Sequence, residues 1–191
     1  MNKPSSIIIH CSDLPESIFD QFGGINRYHR DERLFPISSL GIHVGYHRLV
    51  TGDKVYLCRQ DNEEGAHCNQ TLNGVSMNFQ SLGICWGGDG DIELPSKTHY
   101  QLLQKTIWGW QDKYNIPNTS VYFHRSFAHD KTCPGSQLTN EWLAALLTRP
   151  VKQEKPDSQR KKKEATIAAH KKEISRLQAI VASLLESLGF K

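Results

Sequence analysis

The run Ile7-Ile8-Ile9, closed by His10, does most to narrow what this chain can become. Three adjacent β-branched residues read as a buried strand, with His10 at its mouth. Further strand-like segments lie at 44–50, 54–59, 82–87 and 120–124, and helix-like segments at 25–35, 96–114 and 136–147. Strands alternating with helices of this length predict an α/β fold, a central mixed β-sheet flanked by helices.

The helices carry their own signals. Ile25, Tyr28 and His29 share one face of the first, which Gly23-Gly24 separates from a weaker helical segment and Pro36 stops. Ser96 caps the second, along which Tyr100, Leu103, Ile107 and Trp110 recur, and Leu138, Trp142, Ala145 and Leu146 face inward on the third. The Thr51-Gly52-Asp53 turn joins two strands as a hairpin, and the apolar run 82–87 calls for a central position. Residues 60–80 are polar and read as a long surface loop. Gly87-Gly88-Asp89-Gly90-Asp91 lacks the downstream Glu of a calcium loop, so it reads as a tight turn.

Chemistry gathers in residues 123–135, Phe-His-Arg-Ser-Phe-Ala-His-Asp-Lys-Thr-Cys-Pro-Gly. Imidazole and thiolate are donors that Zn²⁺ prefers, and a catalytic zinc takes three protein ligands and keeps a fourth position open. His124 and Cys133 supply two, with His129 as the alternative to His124. The best third donor is His10. Tyr46 and His47 fall on opposite faces of their strand-like segment, because side chains alternate along a strand. Of the other histidines, His29 and His47 are expected to make structural hydrogen bonds, and His43 and His99 to lie at the surface.

Size and composition allow one ordinary domain and an appendage in 191 residues. No apolar run approaches the ~20 residues of a membrane span, so the chain is expected to be soluble. The apolar stretch near the N-terminus is too short for the core of a signal peptide, which points to synthesis in the cytoplasm. Five cysteines without a C-x-x-C pair fit a reducing compartment; apart from Cys133, the thiols Cys11, Cys58, Cys68 and Cys85 read as buried packing residues. The net charge of +3 conceals an uneven distribution, because residues 151–191 hold ten Lys/Arg against five Asp/Glu. The expected organisation is a catalytic domain at 1–148, a basic linker at 149–164 and an amphipathic helix at 165–191. In that helix Ile167, His170, Ile174, Leu177, Val181, Leu184 and Leu188 follow a heptad frame that favours a parallel two-stranded coil and hence a homodimer. Docking on an anionic wall polymer or membrane surface is the rival. With no interleaved aromatics in the basic tail, no nucleic acid is expected as partner.

Taken in order, Ile-Ile-His10-Cys-Ser, Tyr28-His29, Gly45-Tyr46-His47, Gly65-Ala66-His67, Ser81-Leu82-Gly83-Ile84, His124 and Lys131-Thr132-Cys133-Pro134 form an ordered set. It resembles the zinc-dependent N-acetylmuramoyl-L-alanine amidases of the amidase-2 and peptidoglycan-recognition-protein family, and most of all the phage amidase-type lysozymes, or endolysins. The resemblance covers roughly residues 5–147. It implies one Zn²⁺ per chain on His10, His124 and Cys133, and hydrolysis of the amide between N-acetylmuramic acid and L-alanine. It also implies that Tyr46 orients or deprotonates the attacking water and that Lys131 faces the oxyanion. His67 and Asn78 are expected to line the peptidoglycan groove, and Arg59 to meet a stem-peptide carboxylate. A phage or prophage endolysin would reach the wall through a holin pore. The alternatives are a peptidoglycan-binding module without activity and a cytoplasmic enzyme that recycles muropeptides.

Overall fold

The computed structural model describes residues 4–150 and 156–188. The chain divides into two compact units between Thr148 and Arg149. In the first, strand β1 (Ser6–Cys11) is buried along its whole length and pairs in parallel with both β6 (Ser81–Trp86) and β7 (Val121–Phe123). β2 (Arg48–Thr51) pairs in parallel with β6 and antiparallel with β3 (Lys54–Leu57), giving a five-stranded mixed sheet in the order β3-β2-β6-β1-β7. The apolar strand 82–87 is therefore central, as its composition requires.

Alternation along β1 divides the core. Ile7, Ile9 and Cys11 pack with Leu82, Ile84 and Trp86 beneath helix α3 (Lys97–Tyr114) and helix α4 (Asn140–Leu147). Ile8 turns to the opposite face, where Cys68 and Met77 cover it, and nearby Leu49 and Cys85 meet Ile25 of helix α1 (Phe22–Asp31). With both faces covered, three isoleucines can follow one another without a polar residue between them. The four packing cysteines are buried and free.

Some boundaries differ from the sequence reading. α1 begins at Phe22 and runs through Gly23-Gly24, because burial of Ile25 and His29 outweighs the cost of two helical glycines, about 1 kcal/mol each. The expected strand 44–50 is regular only from Arg48, and α4 starts at Asn140, where the Thr139 side chain accepts from Trp142 N–H. The long polar loop holds a small hairpin of β4 (Thr71–Leu72) and β5 (Val75–Ser76), followed by the short helix α2 (Met77–Gln80). His99 is buried rather than at the surface: its ring meets the Gly52 carbonyl at 2.6 Å and the Glu16 carboxylate at 3.0 Å.

In the second unit, helix α5 (Pro156–Ser187) starts inside the segment expected as linker. Residues 151–155 of that segment lie outside the described residues, whereas 156–164 are helical. Proline suits a first helical turn, and the Lys- and Glu-rich sequence that follows has no glycine to interrupt it. No helix among the described residues is long and apolar enough to cross a membrane.

Candidate metal centre

The register of β1 and β7 builds the site. Ile9 stands opposite Phe123, so the next residues, His10 and His124, leave the carboxyl edge of the sheet side by side, their rings 4.5 Å apart. Crevices at the carboxyl ends of parallel strands are where open α/β sheets place their ligands. A single 3₁₀ turn, His124–Ser126, then reverses the chain, and Arg125 N–H donates to the Cys133 carbonyl at 2.8 Å. Cys133 Sγ comes within 3.8 Å of His10 Nδ1, and the donor atoms of His10, His124 and Cys133 all lie within 4.8 Å of one another. Exposed His129 is not in the cluster.

Two imidazole nitrogens and one thiol sulfur, converging beside a cavity of about 240 Å³, match a zinc site with an open position. Burial, reinforced by His124 and His67, holds the His10 imidazole well below its usual pKa, so it is neutral and offers a lone pair.

The loop carrying Cys133 is clamped from two sides. Asp91 accepts from Thr132 Oγ1 at 2.6 Å and from Ser136 N–H at 2.7 Å, and these bonds lower its carboxyl pKa. Backbone meets backbone beside it, since a Cβ on Gly90 would lie 1.8 Å from the Pro134 oxygen. From the other side, the Arg125 guanidinium donates to the Gly135 and Leu138 carbonyls and covers the Phe123 ring at 4.3 Å. Sequence reasoning missed Asp91 and Arg125 in this role. The Gly-Gly-Asp-Gly-Asp run showed a turn, but not the loop it would grip.

Tyr46 and Lys131 both line the cavity. The Tyr46 ring stands 4.9 Å from that of His10. Burial first, then the Cys85 and Cys133 thiols, raises its pKa well above the ordinary range, so it is a hydroxyl donor at neutral pH. Its position depends on Gly45, whose N–H donates to His29 Nδ1 at 3.2 Å and where a Cβ would fall 2.2 Å from the Ala66 oxygen. His47 has the expected structural role, with Nδ1 accepting from Gly83 N–H at 3.0 Å and Nε2 meeting the Glu63 carbonyl at 3.1 Å.

Of the three residues expected to contact substrate, His67 lines the cavity and Asn78 and Arg59 do not. His67 borders the cavity but is buried, and its Nδ1 lies 3.1 Å from His10 Nε2. The Asn78 side chain is used internally, with Oδ1 accepting from His67 N–H and Cys68 N–H at 2.7 Å each. Arg59 is not brought to the cavity; it is buried, and its guanidinium donates to the carbonyls of Val44, Glu64 and Pro36. A charge satisfied by three carbonyls inside the protein has nothing left for a substrate carboxylate.

The sequence pattern of the family described as N-acetylmuramoyl-L-alanine amidase matches residues 1–136. No curated protein matches the chain. Among solved structures, the N-acetylmuramoyl-L-alanine amidase LysC from Clostridium intestinale is similar at 23% identity, covering 76% of this chain and 86% of that one, with a TM-score of 0.61. Wild-type Drosophila PGRP-LB is 25% identical over 78% of this chain and 83% of its own, with a TM-score of 0.60. The Ph2119 endolysin from a Thermus scotoductus bacteriophage is 21% identical over 78% and 88%, with a TM-score of 0.59. The first and last of these are likenesses of fold.

Proposed function

The chain belongs to the N-acetylmuramoyl-L-alanine amidase family and is a zinc-dependent peptidoglycan amidase, and from that premise we propose that it acts as an endolysin of phage type. The bond cut is the amide joining the lactyl group of N-acetylmuramic acid to L-alanine. The observation that carries this reading is the convergence of His10, His124 and Cys133 beside a cavity that Tyr46 and Lys131 also line.

Zinc held by these three side chains would supply a Lewis acid for the scissile carbonyl and a nucleophile activated at neutral pH. The protein supplies the rest. Tyr46 directs its hydroxyl proton towards the reacting oxygens, and the Lys131 ammonium neutralises charge that develops on the carbonyl oxygen as the tetrahedral centre forms. Fixed donors of this kind favour the transition state over the bound substrate. Asp91 and Arg125 keep the loop of Lys131 and Cys133 in place while the bond breaks.

The reading extends to the second unit. α5 presents Ile167, Ile174, Leu177, Val181 and Leu184 to solvent in heptad register, with Leu188 exposed just beyond its end, which supports pairing with a second copy of this chain. Its basic residues would serve an anionic wall or membrane surface if it stays single. Release to the wall through a holin pore belongs to the same endolysin reading.

The test is release of L-alanine amino groups from purified peptidoglycan by zinc-loaded protein, EDTA-treated protein and Cys133→Ser. Release by the first alone is expected. Zinc binding without cleavage would instead identify a binding module.

A further inference from the structure

We propose that His67 is a positioning residue for the metal centre: it accepts a hydrogen bond from His10 Nε2 and thereby fixes the tautomer and orientation in which His10 offers Nδ1 to zinc. The proposal rests on the metal reading above, and it replaces a groove-lining role for the Gly-Ala-His segment.

The two nitrogens of His10 face different partners. Nδ1 lies 3.8 Å from Cys133 Sγ, on the side of the ligand cluster, and Nε2 lies 3.1 Å from His67 Nδ1. A ligating nitrogen must be unprotonated, and a neutral imidazole carries one proton, so the His10 proton sits on Nε2. It follows that Nε2 donates, that His67 Nδ1 accepts, and that His67 carries its own proton on Nε2. The reverse direction, with His67 Nδ1 donating, would place the His10 proton on Nδ1 and close the site to metal.

The surroundings of His67 hold it to this task. Asn78 Oδ1 accepts from the backbone N–H groups of both His67 and Cys68, fixing where the ring leaves the chain. The ring lies against two glycines: a Cβ on Gly83 would be 2.6 Å from its Cδ2, and one on Gly65 would be 2.4 Å from the same atom. The His47 ring meets its edge at 5.8 Å. His67 Nε2 is buried without a well-aligned hydrogen bond, and the polar group its ring meets there is the Ser81 backbone. That is consistent with a proton on Nε2 and a free lone pair on Nδ1 for His10. With Nδ1 committed and Nε2 enclosed, His67 has no polar group to offer a substrate. Ligating histidines are commonly oriented by an acceptor on their second nitrogen, and losing that acceptor weakens metal binding about 10–100-fold.

The experiment compares zinc affinity, by competition with a chromogenic chelator, for the full-length wild type, His67→Gln and His67→Leu. Glutamine can return a carbonyl acceptor to His10 and leucine cannot. His67→Leu should bind zinc about 10–100-fold more weakly, His67→Gln should recover most of that loss, and at saturating zinc the KM for a muramyl peptide should stay at the wild-type value. Ring ¹⁵N spectra of the zinc-loaded wild type supply a readout independent of any variant's folding. They should show a proton on His10 Nε2 and none on His67 Nδ1. Wild-type affinity in His67→Leu, or a protonated His67 Nδ1, overturns the proposal and leaves the amidase reading intact. A raised KM at saturating zinc returns His67 to the groove and also overturns it. A wild type that binds no zinc overturns both readings, whereas one that binds zinc but cuts nothing removes only the amidase.

Discussion

Burial keeps the Tyr46 hydroxyl protonated, so the role we propose for it is that of a donor. Tyr46→Phe keeps the ring against His10 and removes only the donor. The expected outcome is a fall in kcat of about 10²–10³-fold, the usual effect of deleting one donor to a developing oxyanion, with zinc affinity unchanged. Steady-state kinetics beside a chelator titration check it, and an equal loss of zinc affinity would make Tyr46 a support for His10 instead. Residue types and their order made the His, His and Cys cluster legible, and placed Tyr46 and Lys131 beside the same cavity. Arg59 and Asn78 were legible as polar but not as internal. What decides their roles is the carbonyls of Val44, Glu64 and Pro36, and the N–H groups of His67 and Cys68, meeting them across the fold. Backbone acceptors leave no mark in a sequence.

Elements with a strong period were placed well and their ends less so. β1, β6 and α3 follow from apolar spacing, whereas the start of α1 depends on tertiary burial that overrides two glycines. α5 shows the converse, a helix whose apolar stripe stays half-exposed: Leu177 keeps 49% of its surface and Ile174 54%. Covering the remainder gains about 1 kcal/mol per residue, so five apolar heptad positions on each of two helices yield on the order of 10 kcal/mol. Association costs about 4–15 kcal/mol, which makes the pair marginal at low concentration. The expected outcome is a concentration-dependent dimer of the full chain in analytical ultracentrifugation, abolished by Leu177→Glu with Leu184→Glu. A full chain that stays monomeric across the concentration range removes the coil and leaves an anionic surface as the partner of α5.

At the scale of the molecule, the catalytic unit spends much of its interior on histidine. Burial lowers His47 to about 4, and burial together with the charges of Arg33 and Arg59 lowers His29 to about 4, against an ordinary value of 6.5. Both depend on staying neutral, as their bonds to Gly83 and Gly45 N–H require an unprotonated Nδ1. Below pH 6.5 the unfolded chain takes up protons that the folded one refuses. Stability is therefore fully present above about 6.5 and is lost as pH falls towards 4, by about 3 kcal/mol for each group. Such a loss is a large share of the ~5–15 kcal/mol that a domain has in all. Urea unfolding of zinc-free protein at a series of pH values should show this slope. In His47→Gln, which can offer an acceptor and a donor to the same backbone groups, the slope between pH 6.5 and 4 should be shallower by one proton. If the wild type and His47→Gln lose stability in parallel across that window, His47 is not held neutral by the fold, and the acid lability must come from His29 and the other buried groups.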